Sequence, residues 1–373
     1  MKKNKEINIT IATGIYPPSI GGPASYSKLL YDELPRRGFA VMIVSFDSVR
    51  KLPKGISHAV YFIKLFFKSI NADIIYVQDP VSVGLPAYVA SFLLWKPFVL
   101  KVVGDFAWEQ GVSRFSVGDT LDDFVIKKSK IFYVRFLQIV ESIVARNAKL
   151  VIVPSNYLKK IVMTWNVSDK KIKVIYNAFN PPLIEKKTNS ENSKKIKIIS
   201  VGRLVSWKGF IETIEAVCML HKEGCDISLD IIGSGPQKEV LENLISERNA
   251  DSFIELLGAL PQDILHGKIS GSDIFVLYTG YEGFSHLILE AMALSVPVLT
   301  TKVGGNVEII KSDYNGILVE YNHNIEELKL AIEQLSLDSD KKSNIINNAQ
   351  KTINGFSEEK MLGELERTLK GLL

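Results

Sequence analysis

Short β-branched runs alternate with longer stretches of helical spacing along the whole chain, the pattern of parallel sheets covered by helices. In the first half, residues 7–12, 40–45, 74–78, 98–103, 150–154 and 173–176 predict strands. In the second half, residues 197–201, 228–232, 254–257, 274–277, 298–300 and 316–319 do the same. Between them, residues 180–195 pass through Pro181-Pro182 into a polar tract with almost nothing to bury. Such a composition reads as a linker. Two α/β domains follow, residues 1–180 and 196–355, joined by residues 181–195. In residues 356–373 the apolar positions Met361, Leu362, Leu365, Leu369 and Leu372 recur at helical spacing. An amphipathic helix there must dock on one of the two domains.

Length agrees with this division, since 373 residues exceed what one core comfortably organises. Hydrophobic residues at 46% and charged residues at 23% describe an ordinary globular chain. A formal charge of +4 suits an anionic ligand or an anionic membrane surface, and falls short of a nucleic-acid footprint. Cys218 and Cys225 fit neither a disulfide framework nor a zinc site and read as reduced thiols. The start, Met1-Lys2-Lys3-Asn4-Lys5, is basic like the beginning of a signal peptide, but alternation from Ile7 to Ala12 reads as a strand. The longest apolar run, residues 87–94, stops at Trp95-Lys96-Pro97 and is too short to span a bilayer. The expectation is a cytoplasmic protein, with contact at the inner membrane face left open.

The most informative stretch runs from Gly280 through Tyr281, Glu282, Gly283, Phe284, Ser285 and His286 to Glu290. It follows a strand and opens a helix for which Ser285 is a suitable N-cap. A helix N-terminus offers N–H groups and partial positive charge, a natural seat for phosphate. Glu282 precedes that helix, while Glu290 falls about two turns in, roughly 80° around the axis. Two carboxylates so placed can address different ends of one ligand; alternatively, Glu290 is a solvated helix residue. Upstream, a strand ends in Gly202-Arg203-Leu204-Val205-Ser206-Trp207-Lys208-Gly209. Arg203 offers a fixed fork of donors and Lys208 a compact charge, a combination suited to diphosphate oxygens. The bland reading is a pair of solvated cations, yet both follow the carboxyl end of a strand, where open α/β sheets bind ligands. Turns at Gly233-Ser234-Gly235 and Gly304-Gly305-Asn306 also follow strands, and steric need alone would account for them.

In order and spacing these residues resemble glycosyltransferase family 4, retaining enzymes of the GT-B fold. The likeness includes Pro17-Pro18-Ser19-Ile20-Gly21-Gly22-Pro23, the Gly202-Arg203-Leu204 to Lys208-Gly209 loop and Gly233-Ser234-Gly235-Pro236. It continues through Glu282-Gly283-Phe284-Ser285 to Glu290-Ala291-Met292, then Gly304-Gly305-Asn306 and Asn315-Gly316. Two glutamates with seven residues between them are the family's signature. The resemblance implies two facing Rossmann-like domains, with the last helix crossing back to the first. It implies that Arg203 and Lys208 hold the donor diphosphate and stabilise the leaving group. Glu290 would bind the nucleotide ribose, and Glu282 with the backbone of Gly283, Phe284, Ser285 and His286 would contact the donor sugar and phosphates. Gly202 lies in the same donor loop, and Gly21 and Gly22 would let the first domain approach the pyrophosphate and acceptor.

The first half departs from the family pattern. Val103 stands where a histidine is frequent, and Gln78-Asp79-Pro80 where a second histidine is common. Asp105 either takes a polar role beside the reacting sugar or stabilises a turn. The implied reaction moves a sugar from a nucleoside diphosphate sugar to a hydroxyl, with retention. The acceptor would be a glycan or lipid-linked glycan in cell-surface polysaccharide or glycoconjugate synthesis. No cofactor or metal is expected, because two cations and a helix terminus can neutralise the diphosphate; Asp338-Ser339-Asp340 reads as a solvated turn. Residues 121–146 carry Lys127, Lys128, Lys130 and Arg135 beside Phe132, Tyr133 and Phe136. Such a helix either lies on an anionic membrane or simply shows water a basic face. Residues 108–119 are expected to shape the acceptor side. The competing readings are a sugar-nucleotide epimerase on the same fold and a non-catalytic sugar-nucleotide-binding protein.

Overall fold

The computed structural model describes residues 6–19, 21–53, 55–179 and 195–373. The expected linker at residues 181–195, except Lys195, lies outside the described residues, as do Met1 to Lys5 and Ile20 of the first glycine loop. The chain forms two compact units, Met1–Tyr176 with Glu359–Leu373, and Asn177–Glu358.

The first unit opens β1 (Ile7–Thr13), α1 (Gly22–Glu33), β2 (Phe39–Ser45), α2 (Ile56–Ser69), β3 (Ile74–Val77), α3 (Gly84–Leu94) and β4 (Phe98–Lys101). It continues α4 (Phe106–Phe115), α5 (Leu121–Ile126), α6 (Phe132–Asn147), β5 (Leu150–Val153), α7 (Asn156–Thr164) and β6 (Ile172–Val174). Among the described residues its sheet has the order β2-β1-β3-β4-β5-β6, all parallel. β3 and β4 are buried at every position. A central parallel strand is covered on both faces, so its sequence is a continuous apolar run without alternation.

The second unit holds β7 (Ile196–Val201), α8 (Phe210–Lys222), β8 (Ile227–Ile232), α9 (Lys238–Glu247), β9 (Ile254–Gly258), α10 (Gln262–Ser270) and β10 (Ile274–Leu277). Then come α11 (His286–Ala293), β11 (Val298–Thr301), α12 (Asn306–Ile309), β12 (Ile317–Val319), α13 (Ile325–Leu337) and α14 (Ser339–Ile353). Its parallel sheet has the order β12-β11-β10-β7-β8-β9, the doubly wound dinucleotide-fold order. The first unit has instead the flavodoxin-like order, so the two sheets differ in topology although both are parallel. Every expected strand forms, with ends within two residues of those read from the sequence.

The last helix, α15 (Glu358–Lys370), belongs from Glu359 onward to the first unit. It buries Met361, Leu362, Leu365 and Leu369. Arg37 pairs with Glu359 at 2.6 Å and with Glu366 at 3.4 Å, and Lys370 lies 5.7 Å above the Phe39 ring. The unit boundary falls at Tyr176 rather than residue 180. The reason is local: Phe179 is buried, and its N–H donates to the Phe356 carbonyl at 3.0 Å. Residues 121–146 form two helices, not one. The break at residues 127–131 is held by Gln138, whose Oε1 accepts the Ser129 N–H at 3.1 Å.

Candidate active site

In an open α/β sheet, ligands bind beyond the carboxyl ends of strands where the winding order reverses. In the second unit that point lies between β7 and β10, which are hydrogen-bonded neighbours. Residues 202–209 leave β7 there and residues 278–285 leave β10. The two loops are tied together. Gly280 N–H and the Thr279 hydroxyl both donate to the Trp207 carbonyl, at 2.7 and 3.0 Å. Leu204 N–H reaches the Ser234 carbonyl of the neighbouring loop at 3.0 Å. Gly233, with φ of 148°, lies against that loop so closely that a Cβ would fall 1.8 Å from the Gly202 oxygen.

This bracing brings Lys208 and Glu282 into a direct ion pair, their side chains only 12% and 15% exposed. Arg203 is exposed and has no ion-pair partner among the described residues. The Glu282 carbonyl accepts the Gly305 N–H at 2.8 Å. Gly304, at φ of 54°, is needed for that contact, because a Cβ would stand 2.0 Å from the Glu282 oxygen. Ser285 is the N-cap of α11, its hydroxyl accepting the Ile288 N–H at 3.4 Å. Gly283 and Phe284 are buried, and the Phe284 ring packs 5.4 Å from Phe356, so only backbone of this pair can meet a ligand. His286 opens the helix and is half-buried.

Glu290 is the fifth residue of α11, little more than one turn from its start instead of two, because the helix begins only at His286. It is not a solvated helix residue: its side chain is 14% exposed and lies 3.4 Å from Nε2 of His266 on α10. Asp338 caps the start of α14 by accepting the Lys341 N–H at 2.8 Å, which accounts for the Asp-Ser-Asp triplet. His266 was not legible as part of this cluster, since nothing local distinguishes a histidine inside α10.

The first unit reverses its order between β1 and β3. Gly21 caps α1 at φ of 147° and Gly22 is its first residue, with the Ala24 and Ser25 N–H groups meeting the Gly21 carbonyl at 3.0 and 3.1 Å. After β3, Gln78 is buried, its Oε1 lies 3.2 Å from the Ser27 hydroxyl, and its Nε2 has no hydrogen-bond partner among the described residues. Val103, where the resemblance expects a histidine, is 45% exposed and brings no polar group.

Asp105 is the buried N-cap of α4 and accepts the Trp108 N–H at 2.7 Å. Burial pushes its carboxyl up to about 6. Glu141 reaches the same helix start from α6, and its Oε1 accepts the Phe106 and Ala107 N–H groups at 2.7 and 3.2 Å. Its Oε2 has no hydrogen-bond partner among the described residues, and burial beside Asp105 raises its carboxyl well above the usual range. Asp105 therefore does stabilise a turn, one of its two expected roles. Trp108 is buried and its indole N–H donates to the Asp119 carbonyl at 2.9 Å, so the 108–119 segment is anchored by a core residue. Lys101 is buried on β4 with Nζ 4.9 Å from the Tyr26 ring centre, and burial lowers it to about 7. A lysine inside an apolar strand, and a glutamate on the helical stripe of Leu137, Val140 and Val144, were the sequence signals for these two groups.

Residues 20–182 match the family model described as Glycosyltransferase Family 4. Residues 183–352 match the model described as Glycosyl transferases group 1. The chain belongs to glycosyltransferase family 4. An uncharacterized glycosyltransferase of Methanocaldococcus jannaschii is 27% identical over 386 aligned positions, covering 93% of each chain. A second relative, from Campylobacter jejuni, is N-acetylgalactosamine-N,N'-diacetylbacillosaminyl-diphospho-undecaprenol 4-alpha-N-acetylgalactosaminyltransferase. It is 32% identical over 168 residues, 44% of this chain and 45% of that enzyme. The solved structure of HepE from Anabaena, in complex with UDP and glucose, superposes with a TM-score of 0.77 at 18% identity, over 98% of this chain and all of that one. This family 4 glycosyltransferase thus has the GT-B type of fold, two six-stranded parallel α/β sheets among the described residues. No helix among them is long and apolar enough to cross a membrane.

Proposed function

We propose that the chain transfers a sugar from a nucleoside diphosphate sugar to an acceptor hydroxyl with retention of configuration, in the synthesis of a cell-surface polysaccharide or glycoconjugate. One observation carries the reading. The Lys208–Glu282 pair and the exposed Arg203 stand at the carboxyl ends of β7 and β10, beside the start of α11. In this reading Arg203 and Lys208 neutralise the diphosphate, and the α11 terminus stabilises charge as the leaving group departs. Glu282, held by Lys208, faces the sugar, while Glu290 takes the ribose. These groups would make a metal unnecessary. Binding of UDP by the Anabaena structure supports a nucleotide-sugar donor.

A lipid-linked acceptor is supported by the diphospho-undecaprenol named in the Campylobacter relative. Peripheral contact with an anionic membrane is supported by Ile126 and Phe132, 80% and 88% exposed, beside Lys127, Lys128 and Lys130. The deciding assay follows release of nucleoside diphosphate from a panel of sugar nucleotides, with and without glycan and lipid-linked acceptors, in the presence of chelator. Acceptor-dependent release with an α-linked product from an α-linked donor is expected. Interconversion of the donor sugar without release would instead make the chain an epimerase.

A further inference from the structure

We propose that the first unit carries a binding groove for an amphipathic anion, a phosphate or diphosphate borne on an apolar chain. A pocket of about 420 Å³ runs along one face of α6. Arg135, Gln138, Ile139, Ser142 and Arg146 line it at spacings that put them on one stripe of the helix. The facing wall is the end of α7, with Thr164, Trp165 and Asn166, and the α5–α6 turn with Ile126, Lys127 and Lys128.

The groove has a cationic end at the α5–α6 turn. There Gln138 organises the turn: its Nε2 donates to the Lys127 carbonyl at 3.2 Å and its Oε1 lies 3.5 Å from the Arg135 guanidinium. Lys127, Lys128 and Arg135 are thereby gathered around one side chain. Lys127 pairs with Asp119 at 2.6 Å, whereas Lys128 and Arg135 have no carboxylate partner among the described residues. A compact ammonium and a guanidinium fork, both uncompensated, match the oxygens of a phosphate.

Apolar side chains, Val125, Ile126, Ile139, Ile143 and Trp165, also line the groove, and Arg146 adds a further cation toward the end of α6. Ile126 and Ile139 remain 80% and 42% exposed, so the unit itself does not cover them. A free phosphate would use the cations alone and leave these apolar side chains uncovered. Asp105 lines the far interior beside Glu141, and Glu141 is about 9 Å along α6 from Arg135 at 1.5 Å per residue. The carboxyl thus stands clear of the cationic end.

As a binding site the groove stands without the transfer reading; as an anchor for a lipid-linked acceptor it rests on it. The test is calorimetric titration of the whole chain, without donor, with geranyl diphosphate below its micellar range. Inorganic diphosphate and geraniol are the comparison ligands. Geranyl diphosphate should bind at least about tenfold more tightly than either, and Lys128→Ala and Arg135→Ala should each weaken it about tenfold. Both positions are at the surface of the unit, and an unchanged melting temperature will confirm that the variants fold. Equal binding of inorganic diphosphate or of geraniol overturns the proposal, as does affinity that both variants leave intact. Tight geranyl diphosphate binding without sugar transfer to any acceptor would count against the transfer reading alone. Transfer with no geranyl diphosphate binding would count against the groove alone.

Discussion

At the scale of the residue, three buried or half-buried carboxylates carry sharp expectations. Glu282 and Lys208 hold one another, so removing either loosens both. Lys208→Ala should weaken donor binding about tenfold or more, since a charge-assisted contact is lost and Glu282 is left without its cation. Unchanged affinity by calorimetry would take Lys208 out of the site. Glu141 is tested by a pair of changes. Glu141→Gln keeps an oxygen for the Phe106 and Ala107 N–H groups and should cost under about 1 kcal/mol. Glu141→Ala strands those amides and should cost ~1–3 kcal/mol, read from urea midpoints. Asp105 gives the pH signature. Its folded value of about 6 exceeds the model-peptide value of 3.8, so the folded chain holds a proton that the unfolded chain has released between them. Its contribution to stability is therefore highest below about pH 4 and declines until about pH 6. In Asp105→Asn that decline should flatten; an unaltered pH profile would refute the assignment. The placement of Arg203, Lys208 and Glu282 on loops that follow strands, and of Glu290 on the helix after them, was legible because the motifs run in strand order. The Lys208–Glu282 pairing and the approach of His266 to Glu290 were not, because they join positions far apart in the chain.

At the scale of the element, the strands were legible because central parallel strands must be continuously apolar. Their order was not, since nothing local tells β1 to sit between β2 and β3 while β7 sits between β8 and β10. The basic segment after Thr120 looked like one helix because its apolar spacing barely falters. Gln138, bonded to both ends of the turn at residues 127–129, sets the break and is invisible to periodicity. The glycine turn after β11 shows how one element positions another. Gly304→Ala would force a Cβ toward the Glu282 carbonyl in a left-handed backbone, at a cost of ~1–3 kcal/mol. Donor affinity should fall in this variant although it changes no ligand-binding side chain; donor affinity equal to wild type would show that the brace does not position Glu282.

At the scale of the whole molecule, each unit has its own core and should respond separately to ligand. If the donor binds mainly to the second unit, a cognate sugar nucleotide at about a hundred times its Kd adds ~2.7 kcal/mol there. Differential scanning calorimetry should then show one transition moving upward more than the other, and a donor that moved only the first unit's transition would contradict the assignment. A polar linker in the composition points to two units, whereas the host of the last helix came only from the family resemblance, because amphipathic spacing names a buried face without naming its host. That membership has a consequence for biosynthesis. The first unit is made of two separated pieces of chain, and the second of these, from Glu359 onward, leaves the ribosome only after the entire second unit. Domains of nascent chains ordinarily fold in the order they are made. Here the domain begun first is completed last, and until then the surface awaiting Met361, Leu362, Leu365 and Leu369 stays open to chaperones and to other nascent chains.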